Sequence, residues 1–119
     1  MLIVDDHPMF ADAVSALLTR DGRFDVVGTA THTDEAVELA GREEPNVVLM
    51  DLTMPGADAV DTARRLREAS PRASLVILSG TDQDELERTA RATRAAAWLS
   101  KDEAHRSAPD VIASVAAAN

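Results

Sequence analysis

Residues 46–56 read Asn-Val-Val-Leu-Met-Asp-Leu-Thr-Met-Pro-Gly, and this stretch decides the fold class. Four apolar residues, Val47 to Met50, run without a polar break. Such a run is typical of a strand that is buried on both faces of a parallel sheet. Asp51 follows at once, and Pro55-Gly56 then turns the chain. The pattern predicts a carboxylate at the carboxyl end of a central strand, where open α/β sheets carry their chemistry.

Apolar strands alternate with amphipathic segments along the rest of the chain. We predict further strands at residues 2–4, 24–27, 75–78 and 97–100, each followed by a helix. The first helix is predicted to run from Pro8 to near Gly22, and the second to be capped by Thr33 or Asp34. The other helices are predicted at roughly 57–69, with Val60 facing inward, and at 82–94 and 107–117. This alternation predicts an α/β fold, a doubly wound parallel sheet of five strands with five helices. A flavodoxin-like strand order of 2-1-3-4-5 is the common small solution.

The composition narrows the functional classes. A chain of 119 residues forms one domain. Asp plus Glu number 21 and Lys plus Arg 12, so the net charge of −9 repels phosphate backbones. We therefore expect this chain alone not to bind nucleic acid. It contains no Cys and no apolar run long enough for a membrane span, which favours a cytoplasmic protein without a membrane partner.

Five polar residues directly follow the predicted strands. Asp5 and Asp6 come after the first strand, Asp51 after the third, Ser79 after the fourth and Lys101 after the fifth. Parallel strands bring their carboxyl ends to one edge of the sheet, so we expect these side chains to converge. A solvated loop residue is the ordinary interpretation of each one alone. Five such coincidences indicate a site.

The residue types in this set suit phosphoryl transfer. Three carboxylates at close quarters repel one another unless a cation intervenes, and Mg²⁺ prefers oxygen ligands and substrate phosphates. A carboxylate oxygen of Asp51 beside such a metal can attack phosphorus. The new negative charge can then be held by the ammonium of Lys101 and the hydroxyl of Ser79.

These strand-end motifs, taken together, resemble those of a known family. The runs Leu-Ile-Val-Asp-Asp-His-Pro, Val-Val-Leu-Met-Asp-Leu-Thr-Met-Pro-Gly, Leu-Val-Ile-Leu-Ser-Gly and Trp-Leu-Ser-Lys-Asp resemble the receiver domain of two-component response regulators. The resemblance covers residues 1–119 in order, and Asp-Asp-His-Pro and Lys-Asp look most like the NarL/FixJ (LuxR-type) branch. Members of that branch usually carry a C-terminal helix-turn-helix DNA-binding domain, which is absent from this chain, so the sequence is either an excised receiver or a stand-alone one.

The resemblance implies a role for seven residues of this sequence. Asp51 is implied as the phosphoacceptor, Lys101 as the phosphate-binding lysine, Ser79 as the switch hydroxyl and Trp98 as the switch aromatic. Mg²⁺ (or Mn²⁺) is implied to bind Asp6 and Asp51 directly, Asp5 through water, and the backbone carbonyl of Thr53. The family also implies a sensor histidine kinase as phosphodonor, and a signalling switch rather than an enzyme. The first and last helices offer a surface for a homodimer.

The sequence departs from the usual family pattern in three ways. Trp98 stands where Tyr or Phe is common, and its larger ring is expected to enter the core less easily. Arg94 and Ala97 occupy two places where glycine is common, which predicts an altered backbone before the fifth strand. Ser79 replaces the more frequent Thr and keeps the hydroxyl.

Two alternatives to a phosphorylated switch remain open at this stage. A haloacid-dehalogenase-like phosphohydrolase also uses an Asp nucleophile with Mg²⁺, but Thr53 stands where that class has its second Asp. A receiver that acts by protein contacts without phosphorylation is favoured mildly by the missing glycines and Trp98. We interpret His7 as a loop residue rather than a metal ligand, because Mg²⁺ prefers oxygen.

Overall fold

Parallel strands alternate with helices along the whole chain in the computed structural model, which describes residues 1–52, 54, 56, 58–80 and 82–118. Within these residues the strands are β1 (Leu2–Val4), β2 (Gly28–Ala30), β3 (Val47–Asp51), β4 (Ser74–Ser79) and β5 (Ala97–Ser100). The helices are α1 (Pro8–Asp21), α2 (Thr33–Glu43), α3 (Ala59–Ala69), α4 (Gln83–Ala92) and α5 (Lys101–Ala118). The sheet order is β2-β1-β3-β4-β5, all pairs being parallel. The predicted fold class and strand order are confirmed.

The sheet separates two hydrophobic clusters. One contains α1 and α5 side chains such as Leu18 and Ile112, packed against Leu49 and Leu78. The other lies on the opposite face and includes residues of α2, α3 and α4, such as Leu66 and Leu86. Every residue of β3 is buried, as its unbroken apolar run predicted.

The second strand was predicted four residues too early. Phe24 to Val27 is apolar, but the ladder forms at Gly28–Ala30, with Leu2 opposite Gly28. Phe24 and Val26 instead pack against the α1/α5 cluster. Their hydrophobicity therefore reflects side-chain packing at the edge of the core rather than strand pairing.

The last helix was predicted six residues too late. It begins at Lys101, directly after β5, and its buried residues are Ala104, Ala108, Ile112 and Val115. Two of these are alanines, which favour helix strongly but contribute little to a hydrophobic pattern. The prediction relied on the large apolar residues and so found only the second half of the helix.

Two smaller predictions about helices were also wrong. The cap of α2 is His32 rather than Thr33 or Asp34, and its imidazole accepts a hydrogen bond from the Glu35 N–H at 3.3 Å. In α3, Val60 is 48% exposed, and the inward positions are taken by Thr62, Ala63 and Leu66. The Thr62 hydroxyl lies 3.2 Å from that of Thr33, so a polar residue that was not predicted to face inward lies at the α2–α3 contact.

Candidate phosphoryl-transfer site

The carboxyl edge of the sheet brings the predicted polar residues together. Asp5 follows β1, Asp51 ends β3, Ser79 ends β4, and Lys101 follows β5. In the β4–β5 register Ser79 lies opposite Ser100, which directly precedes Lys101. Asp5, Asp51 and Ser79 are each at most 2% exposed. The strands therefore fix three buried polar groups at this edge.

Asp5, Asp6 and Asp51 form one acidic cluster together with His7. Each of the four offers a ligand atom, and these atoms lie within 4.8 Å of one another. The His7 N–H donates to Asp5 Oδ1 at 2.8 Å. The Nδ1 atom of the same residue lies 3.0 Å from Asp5 Oδ1 and 3.0 Å from Asp6 Oδ1. It lies 3.7 Å from Asp51 Oδ2.

The Lys101 ammonium also joins this cluster. Its Nζ atom lies 3.3 Å from Asp51 Oδ2 and 3.3 Å from Asp5 Oδ2. The same atom lies 4.7 Å from the centre of the Phe10 ring, so a cation–π contact helps to hold the lysine in place. One cation thus faces two buried carboxylates and partly offsets their repulsion.

The acidic cluster suits a hard divalent cation. Two buried carboxylate oxygens, Asp5 Oδ2 and Asp6 Oδ1, accept no hydrogen bond among the described residues, although Lys101 and His7 lie near them. Buried anionic oxygens without hydrogen bonds are costly, and a metal ion would satisfy them. Carboxylate oxygens are the ligands that Mg²⁺ prefers, so the residues present fit the predicted ion.

The remaining predicted site residues are Trp98, Thr53 and Ser79. Trp98 is on β5, opposite Ile77, and its side chain is 36% exposed. Thr53, the predicted carbonyl ligand, lies outside the described residues. Ser79 is fully buried at the end of β4 and belongs to the same edge as Asp51.

His7 lies in the loop between β1 and α1, as predicted, but its contacts with the site were not predicted. Its ring lies against Asp5, Asp6 and Asp51, with 58% of the side chain exposed. His7 caps α1 in an extended conformation, and Pro8 begins the helix directly after it. The sequence did offer one indication of these contacts. His7 directly follows the acidic pair, and a residue between a strand end and a helix start lies close to the side chains that precede it.

Comparison with known proteins accounts for this arrangement. The response regulator receiver domain model matches residues 1–113. The chain belongs to this family. NarL, the nitrate/nitrite response regulator of Escherichia coli K12, is 35% identical to the receiver over 102 residues, which are 86% of this chain and 47% of that protein. The signal receiver domain of NarL from Mycobacterium tuberculosis superimposes with a TM-score of 0.88 at 29% identity, covering 99% of this chain and 95% of that one. The predicted resemblance to NarL-type receivers is confirmed.

Relatives of the receiver include proteins with a different second part. A protein-glutamate methylesterase/protein-glutamine glutaminase of Geobacter metallireducens is 38% identical over 97 residues, which are 82% of this chain but 28% of that protein. The receiver thus spans less than half of either curated relative.

Among the helices of the described residues, none has the length and hydrophobicity that a membrane span requires.

The backbone before β5 keeps the conformation that glycine usually provides. Arg94 has φ of 57°, in the left-handed region, although its side chain carries a Cβ. Its carbonyl accepts a hydrogen bond from Arg67, and the Ala95 N–H donates to the Ala90 carbonyl. Ala97 simply enters β5. Of the two missing glycines, the one replaced by Arg94 therefore leaves strain in the chain.

Proposed function

We propose that the receiver is a phosphorylation-dependent switch that accepts a phosphoryl group on Asp51. The phosphodonor is a sensor histidine kinase or a small acyl phosphate. Phosphorylation alters a surface that contacts a partner or a second copy of the chain. The output is transcriptional, through a C-terminal helix-turn-helix domain of the kind that NarL-type proteins carry, and the protein acts in the cytoplasm.

One observation carries this proposal. Lys101 Nζ lies 3.3 Å from Asp51 Oδ2, on a carboxylate that also belongs to a metal-suited acidic cluster. A nucleophilic oxygen with a cation beside it and a divalent-ion site around it is what phosphoryl acceptance requires. The haloacid-dehalogenase alternative lacks comparable support, because Thr53 is not the second carboxylate that such an enzyme uses.

The chemistry follows from the acceptor group. An oxygen of the Asp51 carboxylate attacks phosphorus, and the bond from phosphorus to the donor breaks, with its electron pair leaving on the donor. The product is an acyl phosphate. Lys101 then moves its hydrogen bond from carboxylate to phosphoryl oxygen, and the Ser79 hydroxyl donates to another. Asp6, Asp51 and the Thr53 carbonyl, with Asp5 through water, would hold Mg²⁺, and that ion would supply charge neutralisation for the transferred phosphoryl group.

Access to Asp51 requires a rearrangement. Its side chain is fully buried, and the exposed ring of His7 lies 3.7 Å from Oδ2. A phosphodonor reaches the carboxylate only after neighbouring side chains move aside.

Intact mass spectrometry tests the proposal. The receiver is incubated with acetyl phosphate and Mg²⁺, and we expect one added phosphoryl group in the wild type. Asp51→Asn should gain none, and Lys101→Ala should gain it much more slowly. An unmodified wild-type mass under forcing conditions would favour a receiver that acts by protein contacts alone.

A further inference from the structure

The aromatic ring of Phe10 lies directly beside the ammonium of Lys101. Lys101 Nζ is over the face of the ring, 4.7 Å from its centre. Phe10 is the third residue of α1, and side chains in a helix tilt toward its N-terminus. That end of α1 follows β1 after a short loop, so it lies at the carboxyl edge of the sheet. The start of α1 thus brings an aromatic face to the edge where Asp51 ends β3.

The carboxylate contacts of Lys101 change during phosphoryl transfer. Nζ lies 3.3 Å from Asp5 Oδ2 and 3.3 Å from Asp51 Oδ2. Both attractions weaken when a divalent cation neutralises these carboxylates. The contact with Asp51 Oδ2 is also lost when Lys101 turns to a phosphoryl oxygen. The attraction between an ammonium and a ring face depends on neither carboxylate, so the Phe10 contact persists through these changes.

The long stem of Lys101 needs such a contact. A lysine side chain is flexible and loses much rotamer freedom when its ammonium is held in one place. Gly80 lies beside this stem but offers no side chain to pack on it, since an added Cβ there would be 3.9 Å from Lys101 Cδ. Misplacing a group that acts on the reacting atoms lowers the rate steeply. The ring of Phe10 is therefore placed to limit where the ammonium can go.

We propose that Phe10 is a positioning residue for phosphoryl transfer, which holds the Lys101 ammonium beside Asp51 through the electrostatic attraction of its ring face. The inference rests on the proposed function, because the group that it positions is the phosphate-binding lysine. Phe10 acts through Lys101 and takes no part in bond making. Its contribution is greatest when the carboxylates of the cluster no longer attract the ammonium.

A packing role for Phe10 makes different predictions. Phe10 is partly buried and packs against the cluster of α1 and α5 side chains. If packing were its whole role, an aliphatic side chain of similar size would replace it, and the electron density of the ring would not matter. A role through the ring face instead requires an aromatic side chain, and an electron-rich one.

The first experiment measures the rate of phosphorylation by acetyl phosphate with Mg²⁺, by intact mass. Phe24→Leu is the matched control, because Phe24 packs against the same cluster but its ring faces Arg23 at 5.4 Å. We expect Phe10→Leu to gain the phosphoryl group about three- to tenfold more slowly than the wild type. Phe10→Tyr should restore most of the rate, and Phe24→Leu should leave it unchanged. Equal rates for Phe10→Leu and the wild type would overturn the inference.

The second experiment changes the electron density of the ring without changing its shape much. The sequence contains two phenylalanines, so Phe10 is the only one left in the Phe24→Leu background. Growth on singly or triply fluorinated phenylalanine then alters one ring, and fluorine withdraws electron density from the ring face. We expect the rate to fall with each step of fluorination. A rate that does not depend on fluorination would show that Phe10 only packs.

Nuclear magnetic resonance tests the contact itself. Lys101 is the only lysine of the sequence, so lysine labelled with carbon-13 gives the signals of one side chain. The ring current of Phe10 should shift its ε-methylene protons upfield in the wild type and in Phe24→Leu, but not in Phe10→Leu. A wild type that is phosphorylated without this upfield shift refutes the positioning role and leaves the phosphoacceptor function intact. A wild type with the shift that gains no phosphoryl group refutes the proposed function, and the role of Phe10 in transfer with it.

Discussion

Arg94 is the residue whose backbone conformation has the clearest energetic consequence. A left-handed conformation costs a residue with a Cβ about 1–2 kcal/mol, and Arg94 adopts it with φ of 57°. Burial and the nearby charge of Arg94 also lower the pKa of Arg67. The backbone strain and the smaller, charge-related part of the pKa shift arise because an arginine stands where a glycine would relieve the strain.

Replacing Arg94 with glycine should therefore stabilise the receiver. Glycine removes the steric penalty but increases the entropy of the unfolded chain, so we expect a net gain of about 0.5–1 kcal/mol relative to Arg94→Ala. Arg94→Ala is the control, because it removes the charge while keeping the Cβ. The measurement is urea unfolding of the three proteins, and equal midpoints for the two variants would contradict the strain argument.

Carboxylate repulsion at Asp6 gives a second prediction at this scale. In metal-free buffer Asp6→Asn should melt at a higher temperature than the wild type, because one of the clustered charges is gone. Mg²⁺ should stabilise the wild type by about 2.7 kcal/mol at ~100 times its dissociation constant, and the variant much less. Thermal unfolding with and without Mg²⁺ measures both effects.

The matched control for this substitution is Asp12→Asn. Asp12 is an exposed carboxylate of α1 that is not one of the clustered ligands. Its removal should leave the Mg²⁺ shift unchanged. If Mg²⁺ shifts the wild type and Asp6→Asn equally, the ion does not bind at this cluster.

Among the elements, α1 and α5 are joined at their surface by two ion pairs, Arg23–Asp21 and Arg23–Asp110, which we call the charged clasp. Arg23 donates to Asp21 at the end of α1, and also to Asp110 of α5 at 3.0 Å. The hydrogen bonds from Arg23 lower the pKa of Asp21, and those to Asp21 and Asp110 raise the pKa of Arg23. Because the pKa of Asp21 is lower in the folded state, its contribution is present above the ordinary Asp pKa and is lost as the pH falls through the folded-state value.

Arg23→Gln should return the titration of Asp21 toward that of an ordinary aspartate. We expect the loss to appear as a higher midpoint for the Asp21 carboxyl carbon in an NMR titration from neutral to acid pH. The effect on stability should be small and should decrease in high salt, since the groups are solvent-exposed. An unchanged midpoint in Arg23→Gln would show that the clasp does not form in solution.

The elements also show which parts of the molecule can be predicted from sequence and which cannot. β3 and β4 were located closely, because a strand buried on both faces needs an unbroken apolar run. β5 was also located closely, although Leu99 is the only buried residue among its four. The predictions missed the position of β2 and the first half of α5. Phe24 is hydrophobic but packs against the core without joining the sheet, and Ala104 packs in the core but is too small to produce a clear hydrophobic pattern. The strand-end residues lie at one edge of the sheet, as predicted, but the contacts of the His7 ring with them were not predicted, because its orientation depends on how α1 begins.

At the scale of the whole receiver, the fluorescence of Trp98 can show whether phosphorylation moves this aromatic ring into the core. The ring is 36% exposed on β5, and it is larger than the side chains common at this position. We expect it to stay outside the core, so that beryllofluoride with Mg²⁺ leaves the tryptophan emission nearly unshifted. The change of state would then run through the segment after Ser79 and helix α4 as a shift in populations.

The fluorescence experiment uses Asp51→Asn as its blank. This sequence contains a single tryptophan, so the emission has one source. A large blue shift in the wild type that is absent from Asp51→Asn would show that the ring moves inward. In that case the ordinary family switch operates despite the bulk of Trp98.

The direct junction between β5 and α5 has a mechanical consequence. Strand β5 ends at Ser100 and α5 begins at Lys101 without a connecting loop, so the lysine beside Asp51 is also the first residue of an 18-residue helix. This helix contains Pro109, where an interior proline favours a bend. A helix of this length is at most about 27 Å long, and a tilt of about 5° at its base displaces the far end by about 2 Å. A movement of Lys101 toward a phosphoryl oxygen on Asp51 would therefore tilt α5, and the displacement would be largest at Ala118, at the far end of the helix.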